Sequence, residues 1–327
     1  MKLKGRSILV ICLLVFGGYA VYDFFHEKKM EEKRSMDARL MTVNFEQVDW
    51  VQVEKGDQKI TLKRTVDGWN MEEPLKDQAD NTAVDDFVKG AFPERIIETA
   101  AEGDSINWSL YGLDKPAGKV TFKTTAGTQN VFEISEKRNF EDNVFARRDG
   151  ENKVLVVNSV WQNRVNKGVM DFRERRFLRH KIASVDEVRL KNQVESLEIR
   201  RVEGQWVAPA QKDLKLDQNK VREFLTAISD AKASEIVEGK LPALKNLFVM
   251  DLTMADKKWK AEVGQAQDLG IFAKVSEPAQ AMKMEAGALD RFIKVSLADL
   301  REVSEPKQPK KSEAEESQAM MAEQKEK

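Results

Sequence analysis

The sequence predicts an α+β fold made of two tandem, similar domains. Each is an antiparallel sheet with one main packed helix, and both lie behind an N-terminal membrane anchor. Three observations predict it. A unit of about fifty residues occurs twice, and such internal repeats decide a fold before any local pattern does. In both copies, alternating apolar segments flank Gly-containing turns, the signature of β-hairpins. In both copies a single amphipathic helix pattern then follows an aspartate.

The repeat needs no gap. Val51 falls on Val188, Arg64 on Arg201, Trp69 on Trp206, Asp80 on Asp217, Val84 on Val221, Phe87 on Phe224 and Glu98 on Glu235, each pair 137 positions apart. Ile60 with Leu197, Leu62 with Ile199 and Val88 with Leu225 are conservative pairs at the same offset. This offset exceeds a solenoid period, so two whole domains are expected, at 43–180 and 181–304.

The chain opens with Lys2, Lys4 and Arg6, followed by an apolar run from Ile8 to Phe25. A signal peptide cleaved near Gly18-Tyr19-Ala20 and a retained anchor both fit. Tyr19, Tyr22, Phe24 and Phe25 form an aromatic belt at the far end and favour an anchor over residues 1–25. The short basic flank places the N-terminus in the cytoplasm and the body outside the cytoplasmic membrane, as a single-pass protein. Cys12 is read as a lipid-facing side chain. Residues 26–42, rich in Glu, Lys and Arg, are expected to form a charged helical stalk.

In the first copy, strands around Val48–Val53 and Ile60–Leu62 flank Lys55-Gly56-Asp57, and Trp69 starts a third. Asp80 is expected to cap a helix whose apolar positions are Ala83, Val84, Phe87, Val88 and Ala91, stopped by Pro93. Two more hairpins follow, around Gly127 and around Asp149-Gly150, then a short helix from Ser159 to Lys167 capped by Ser159. The second copy repeats the plan, with Asp217 as the cap, and Leu300-Arg301 resembles Phe172-Arg173. Residues 305–327 are Pro-, Lys-, Glu- and Gln-rich and are expected to be disordered.

Composition excludes several functions. Hydrophobic content of 41% suffices for real cores, and a net charge of −1 leaves no field drawing the whole chain to nucleic acid. With one cysteine and two histidines, His26 and His180, no thiolate or multi-histidine metal site is expected, and no cofactor. No Gly-rich phosphate-binding motif appears, so the chain is not an ATPase. Glu72-Glu73 and Asp85-Asp86 are read as solvated acids, and no enzymatic role is expected.

Trp69, then Pro74, Ala79-Asp80, Tyr111-Gly112-Leu113-Asp114-Lys115-Pro116, two hairpins and Phe172-Arg173-Glu174-Arg175-Arg176 follow one another in an order that resembles the bacterial family catalogued as domain of unknown function 4340. The resemblance spans roughly Val43 to Leu178. It implies a membrane-anchored accessory subunit of an ABC-type export or gliding-related complex, beside a permease, an ATPase and a gliding-type auxiliary protein. It implies no catalytic residue.

Four groups of residues are singled out. Trp69 and Trp206 are read as core residues rather than stacking platforms, and Asp80 and Asp217 as helix caps. Tyr111, Gly112, Leu113 and Pro116 form either a recognition loop or a locked turn, the turn being favoured. Arg173, Arg175, Arg176, Arg179 and Lys181 either contact acidic lipid or a partner, or pair with neighbouring carboxylates. The function expected is a membrane-tethered accessory subunit acting by protein–protein contact. The alternative is a cell-envelope module that binds glycan or lipid.

Overall fold

The computed structural model describes residues 22–30, 38–255 and 257–302. Cys12, the tail 305–327 and all of the expected anchor except residues 22–25 lie outside them. Residues 22–30 are helical (α1), with Tyr22, Phe24 and Phe25 exposed. Among the described residues no helix is long and apolar enough to cross a membrane.

The chain is mostly β, with two antiparallel sheets and few helices, and it divides into two compact units whose boundary in the chain falls between Glu174 and Arg175. The first unit contains β1 (Val48–Lys55), β2 (Gln58–Thr65), β3 (Gly68–Glu73), β4 (Asp77–Gln78), α2 (Asn81–Ala91), β5 (Ile96–Glu102), β6 (Gly118–Thr124), β7 (Gln129–Arg138), β8 (Val144–Arg148), β9 (Lys153–Val157), α3 (Val160–Val165) and α4 (Val169–Phe172). The second contains β10 (Glu187–Lys191), β11 (Ser196–Val202), β12 (Gln205–Val207), α5 (Gln218–Asp230), β13 (Ala233–Val237), β14 (Lys245–Met254), β15 (Lys257–Ala266), β16 (Gly270–Ser276), β17 (Ala279–Met284) and α6 (Asp290–Lys294).

The nine strands of the first sheet run β4-β3-β2-β1-β6-β7-β8-β9-β5, and the eight of the second run β12-β11-β10-β14-β15-β16-β17-β13. The two orders are the same except that the second sheet has no counterpart of β4. Register explains why both sheets bury one face: residues opposite one another across antiparallel strands share a side of the pleat. Ile60, Val53, Val120 and Phe132 form one buried row across four strands. Leu197, Leu190, Met250, Ala261 and Val275 form a similar row in the second sheet.

Each main helix closes this face. Val84, Phe87, Val88 and Ala91 are buried on α2, and Val221, Phe224, Leu225 and Ile228 on α5. Phe87 packs edge-on against Phe172 at 5.1 Å, and Trp161 of α3 against Phe132 at 5.2 Å. The Asp80 carboxylate accepts from the Ala83 N–H, and that of Asp217 from the Asn219 and Lys220 N–H groups. Both caps are held alike: the Asp80 N–H donates to the Phe172 carbonyl at 2.8 Å and the Asp217 N–H to that of Leu300 at 2.9 Å.

Several local expectations need correction. The helical stalk does not extend to residue 42. Residues 38–43 are not helical and belong to the first unit, with Leu40 and Met41 fully buried and Asn130 Oδ1 accepting from the Thr42 and Val43 N–H groups. The apolar Leu40-Met41 pair gains more by burial than on a solvated helix. Ser159 makes no side-chain cap; Asn158 Oδ1 instead accepts from the Val160 N–H at 2.9 Å. Strands β5, β13 and β17 were not expected, and β5 and β13 each carry the chain to the edge opposite the hairpin start.

Candidate functional site

The two equivalent tryptophans stand in different surroundings. In the first unit Trp69 is the second residue of β3 and a core residue, 1% exposed. Its backbone N–H donates to Asn81 Oδ1 at 2.6 Å, and its carbonyl accepts from the Ala79 N–H at 3.0 Å. Its indole Nε1–H donates to Asp85 Oδ1 at 2.9 Å. The same oxygen accepts from Arg64 NH2 at 2.5 Å, and the Arg64 guanidinium lies 4.6 Å from the centre of the Trp69 ring. Ring, cation and carboxylate thus satisfy one another. Asp85 is therefore not the solvated acid that its sequence context suggests.

In the second unit the backbone arrangement is retained. The Trp206 N–H donates to Gln218 Oε1 at 2.8 Å, and Gln218 Nε2 donates back to the Trp206 carbonyl at 3.0 Å. Gln218 holds the position on α5 that Asn81 holds on α2, one residue after the capping aspartate. One turn further, the position of Asp85 is occupied by Arg222, which is exposed. A cation cannot accept the indole proton and would repel Arg201. Arg201 instead donates to Asp186 Oδ1 at 2.6 Å and to the Ala183 carbonyl at 3.1 Å. That bond, joined by one from the Ala255 N–H, holds the Asp186 carboxyl below its ordinary pKa.

Trp206 is consequently only partly buried, and no described residue accepts a hydrogen bond from its Nε1–H. This corrects its reading as a core pin equivalent to Trp69. The lack of a β4 counterpart opens the space further, because residues 208–216 loop away from β12 instead of pairing with it. The result is a cavity of about 870 Å³ lined by Trp206, Pro209, Lys212, Lys215, Gln218 and Asn219, among others. Its size is that of a small-molecule site. Among the described residues, Lys212, Lys215 and Arg222 make no ion pair. An aromatic face beside uncompensated cations can hold a ligand that is both ring-shaped and anionic.

The other singled-out residues are placed as follows. Arg173 Nε donates to Asp77 Oδ2 at 2.6 Å, both side chains nearly buried. Arg175 NH1 donates to the Ala233 carbonyl at 2.7 Å and lies 3.2 Å from Glu285 Oε1. Arg176 bridges to Lys232 through the backbone, Arg179 NH2 donates to Gln280 Oε1 at 3.2 Å, and Lys181 is exposed. Each of the four arginines has a partner. Tyr111 ends a 3-10 turn, and Gly112 follows at φ 69° with its N–H on Ser109. Ser135 Oγ donates to the Tyr111 carbonyl at 2.7 Å, and a Cβ on Gly112 would lie 2.6 Å from Ser135 Oγ. Leu113 is buried, Pro116 is partly buried, and Tyr111 packs edge-on against Phe145 at 5.1 Å.

Glu73 accepts from the Thr61 hydroxyl at 2.6 Å and pairs with Lys59 at 3.0 Å, and both hold its carboxyl below the ordinary range, the reverse of what a general acid needs. Among the described residues no group of His, Cys, Asp and Glu is placed to hold a metal.

A family model described as a domain of unknown function (DUF4340) matches residues 93–247. The chain carries a DUF4340 domain. The match takes in Tyr111–Pro116 and the Arg173–Lys181 stretch, as the sequence resemblance led us to expect. Unlike that resemblance, it starts after Trp69 and Asp80 and continues through Trp206 and Asp217 into β14. Among curated proteins and solved structures, nothing matches the chain.

Proposed function

We propose that this DUF4340 protein consists of two tandem domains tethered to the cytoplasmic membrane by an N-terminal anchor, with the body outside. In this reading it serves as an accessory subunit of an ABC-type export or gliding-related complex and acts by contact with other proteins. One observation supports contact as the mode of action. Phe140, at the tip of the β7–β8 hairpin, is 96% exposed. Leu110 is exposed on a turn fastened to the same hairpin through Lys137 Nζ, which donates to the Ser109 and Leu110 carbonyls at 2.8 and 3.1 Å. Val160 is exposed on α3, whose Gln162 accepts from Arg138 Nε of the hairpin at 2.9 Å. Single exposed apolar residues are ordinary, but three on elements fastened to one hairpin are suited to a partner.

Crosslinking and mass spectrometry on the full chain, purified in mild detergent from its native membrane, test this reading. Crosslinks from residues near Phe140 to a permease, an ATPase or an auxiliary membrane protein are expected, and Phe140→Asp should remove them. Recovery without any such partner would sink the subunit reading.

The Trp206 cavity favours a second reading, a cell-envelope module that binds glycan.

A further inference from the structure

We propose that the Trp206 cavity is a binding site for an acidic saccharide. A pyranose ring stacks its C–H face on Trp206, while its carboxylate, or a phosphate it carries, lies among Lys212, Lys215 and Arg222. The proposal does not rest on the subunit reading.

Three observations point the same way. The first is the difference between the copies. The first unit closes its tryptophan with Arg64 and Asp85, whereas the second has Arg222 at the position of Asp85 and turns Arg201 away to Asp186. An Asp-to-Arg difference at this position adds positive charge while freeing an indole face and an N–H donor. A merely neutral replacement would have done only the latter.

The second observation is the lining. Lys212 and Lys215 are the cations of the cavity wall, and Glu302 is the acid on its rim, beside Asp217, whose carboxylate is engaged in capping α5. Among the lining residues two lysines stand against one carboxylate not engaged in a cap, and Arg222 follows one turn on from Gln218, outside the lining. Such an imbalance favours an anion by direct attraction that salt screens, because Lys212 and Lys215 are exposed.

The third is the shape and polarity of the cavity. At about 870 Å³ it holds more than one sugar ring. Asn219 and the lysines offer hydrogen-bond donors, while Trp206, Pro209 and Leu214 offer apolar surface. A purely apolar ligand would leave the amide and ammonium groups without partners, and a free inorganic anion would leave the indole face wet. A ring that is apolar on one face, hydroxylated at its edge and charged at one substituent uses all three features.

The test is a titration of the full chain in detergent, read by tryptophan fluorescence and calorimetry. The probes are tetragalacturonic acid, a hyaluronan tetramer and a teichoic-type glycerol-phosphate oligomer bearing glucose, with cellotetraose as the neutral control and hexaglutamate as the acidic-peptide control. At least one acidic saccharide is expected to bind about tenfold or more tightly than cellotetraose, and salt should weaken it. Trp206→Ala and Arg222→Asp are each expected to weaken it by about tenfold, with the far-ultraviolet circular dichroism unchanged. Lys212→Glu with Lys215→Glu, on a surface loop, keeps the charge requirement testable if either of those variants fails to fold. No binding by any acidic saccharide, equal binding of cellotetraose, or binding of hexaglutamate alone would each overturn the proposal.

Discussion

Trp69→Ala is expected to destabilise the first unit by about 3–5 kcal/mol, whereas Trp206→Ala should cost the second unit only about 1–2 kcal/mol. The residues match across the repeat, so residue type and strand position do not distinguish them. What differs is what each ring touches. Removing Trp69 leaves a cavity at full burial, strips Asp85 of one donor and leaves Arg64 without its ring. Removing Trp206 uncovers a space already open to solvent, and the Gln218 bonds, which go to its backbone, persist. Urea titration of the full chain with pulse proteolysis, and mass-spectrometric assignment of fragments to 1–174 or 175–327, measures the two costs separately. Equal costs would mean that Trp206 is as much a core residue as Trp69.

Gly118→Ala is expected to cost the first unit about 3 kcal/mol, at the upper end of what overpacking does. Gly118 starts β6, where a Cβ would lie 2.6 Å from the Glu54 carbonyl oxygen and 2.9 Å from Val165 Cβ. The first neighbour is backbone of the adjacent strand β1, and the second is a buried residue of α3, so neither yields without moving its element. Gly127→Ala provides the contrast. It sits at φ 83° in the β6–β7 turn with nothing within 4 Å of the added carbon, so only the left-handed backbone penalty of about 1 kcal/mol applies. The same proteolysis measurement compares them. If the two cost the same, close approach of α3 to β1 and β6 is not what fixes Gly118.

The strands of the early hairpins and both main helices were legible because their signals are local: period-2 alternation, a glycine turn, an aspartate before an apolar 3.6-residue pattern. Strands β5 and β13 were not, since Ile96-Ile97-Glu98-Thr99-Ala100-Ala101-Glu102 alternates weakly and its partner β9 lies more than fifty residues on. Arg164 escaped for a similar reason. Its guanidinium is buried beneath α2, donating to the Phe87 carbonyl at 2.8 Å, and Gly90 is the helix position that admits it, since a Cβ there would lie 3.2 Å from Arg164 NH2. Neither residue signals the other from a distance in sequence. The Trp206 site was hidden differently. Matches between the copies revealed the repeat and made the two tryptophans look equivalent. The informative position is a mismatch, Asp85 against Arg222, and its meaning depends on the hydrogen bond from Trp69 Nε1 that only the structure shows.

The most direct measurement of that difference is hydrogen exchange at the indole nitrogens. In transverse-relaxation-optimised ¹H–¹⁵N spectra of the full chain in detergent, assigned by tryptophan-to-phenylalanine substitution, the Trp69 Nε1–H is expected to be protected and that of Trp206 to exchange rapidly. Arg222→Asp should slow exchange at Trp206 toward that of Trp69. Protection of the Trp206 Nε1–H in the native sequence equal to that of Trp69 would contradict an uncovered site in the second unit.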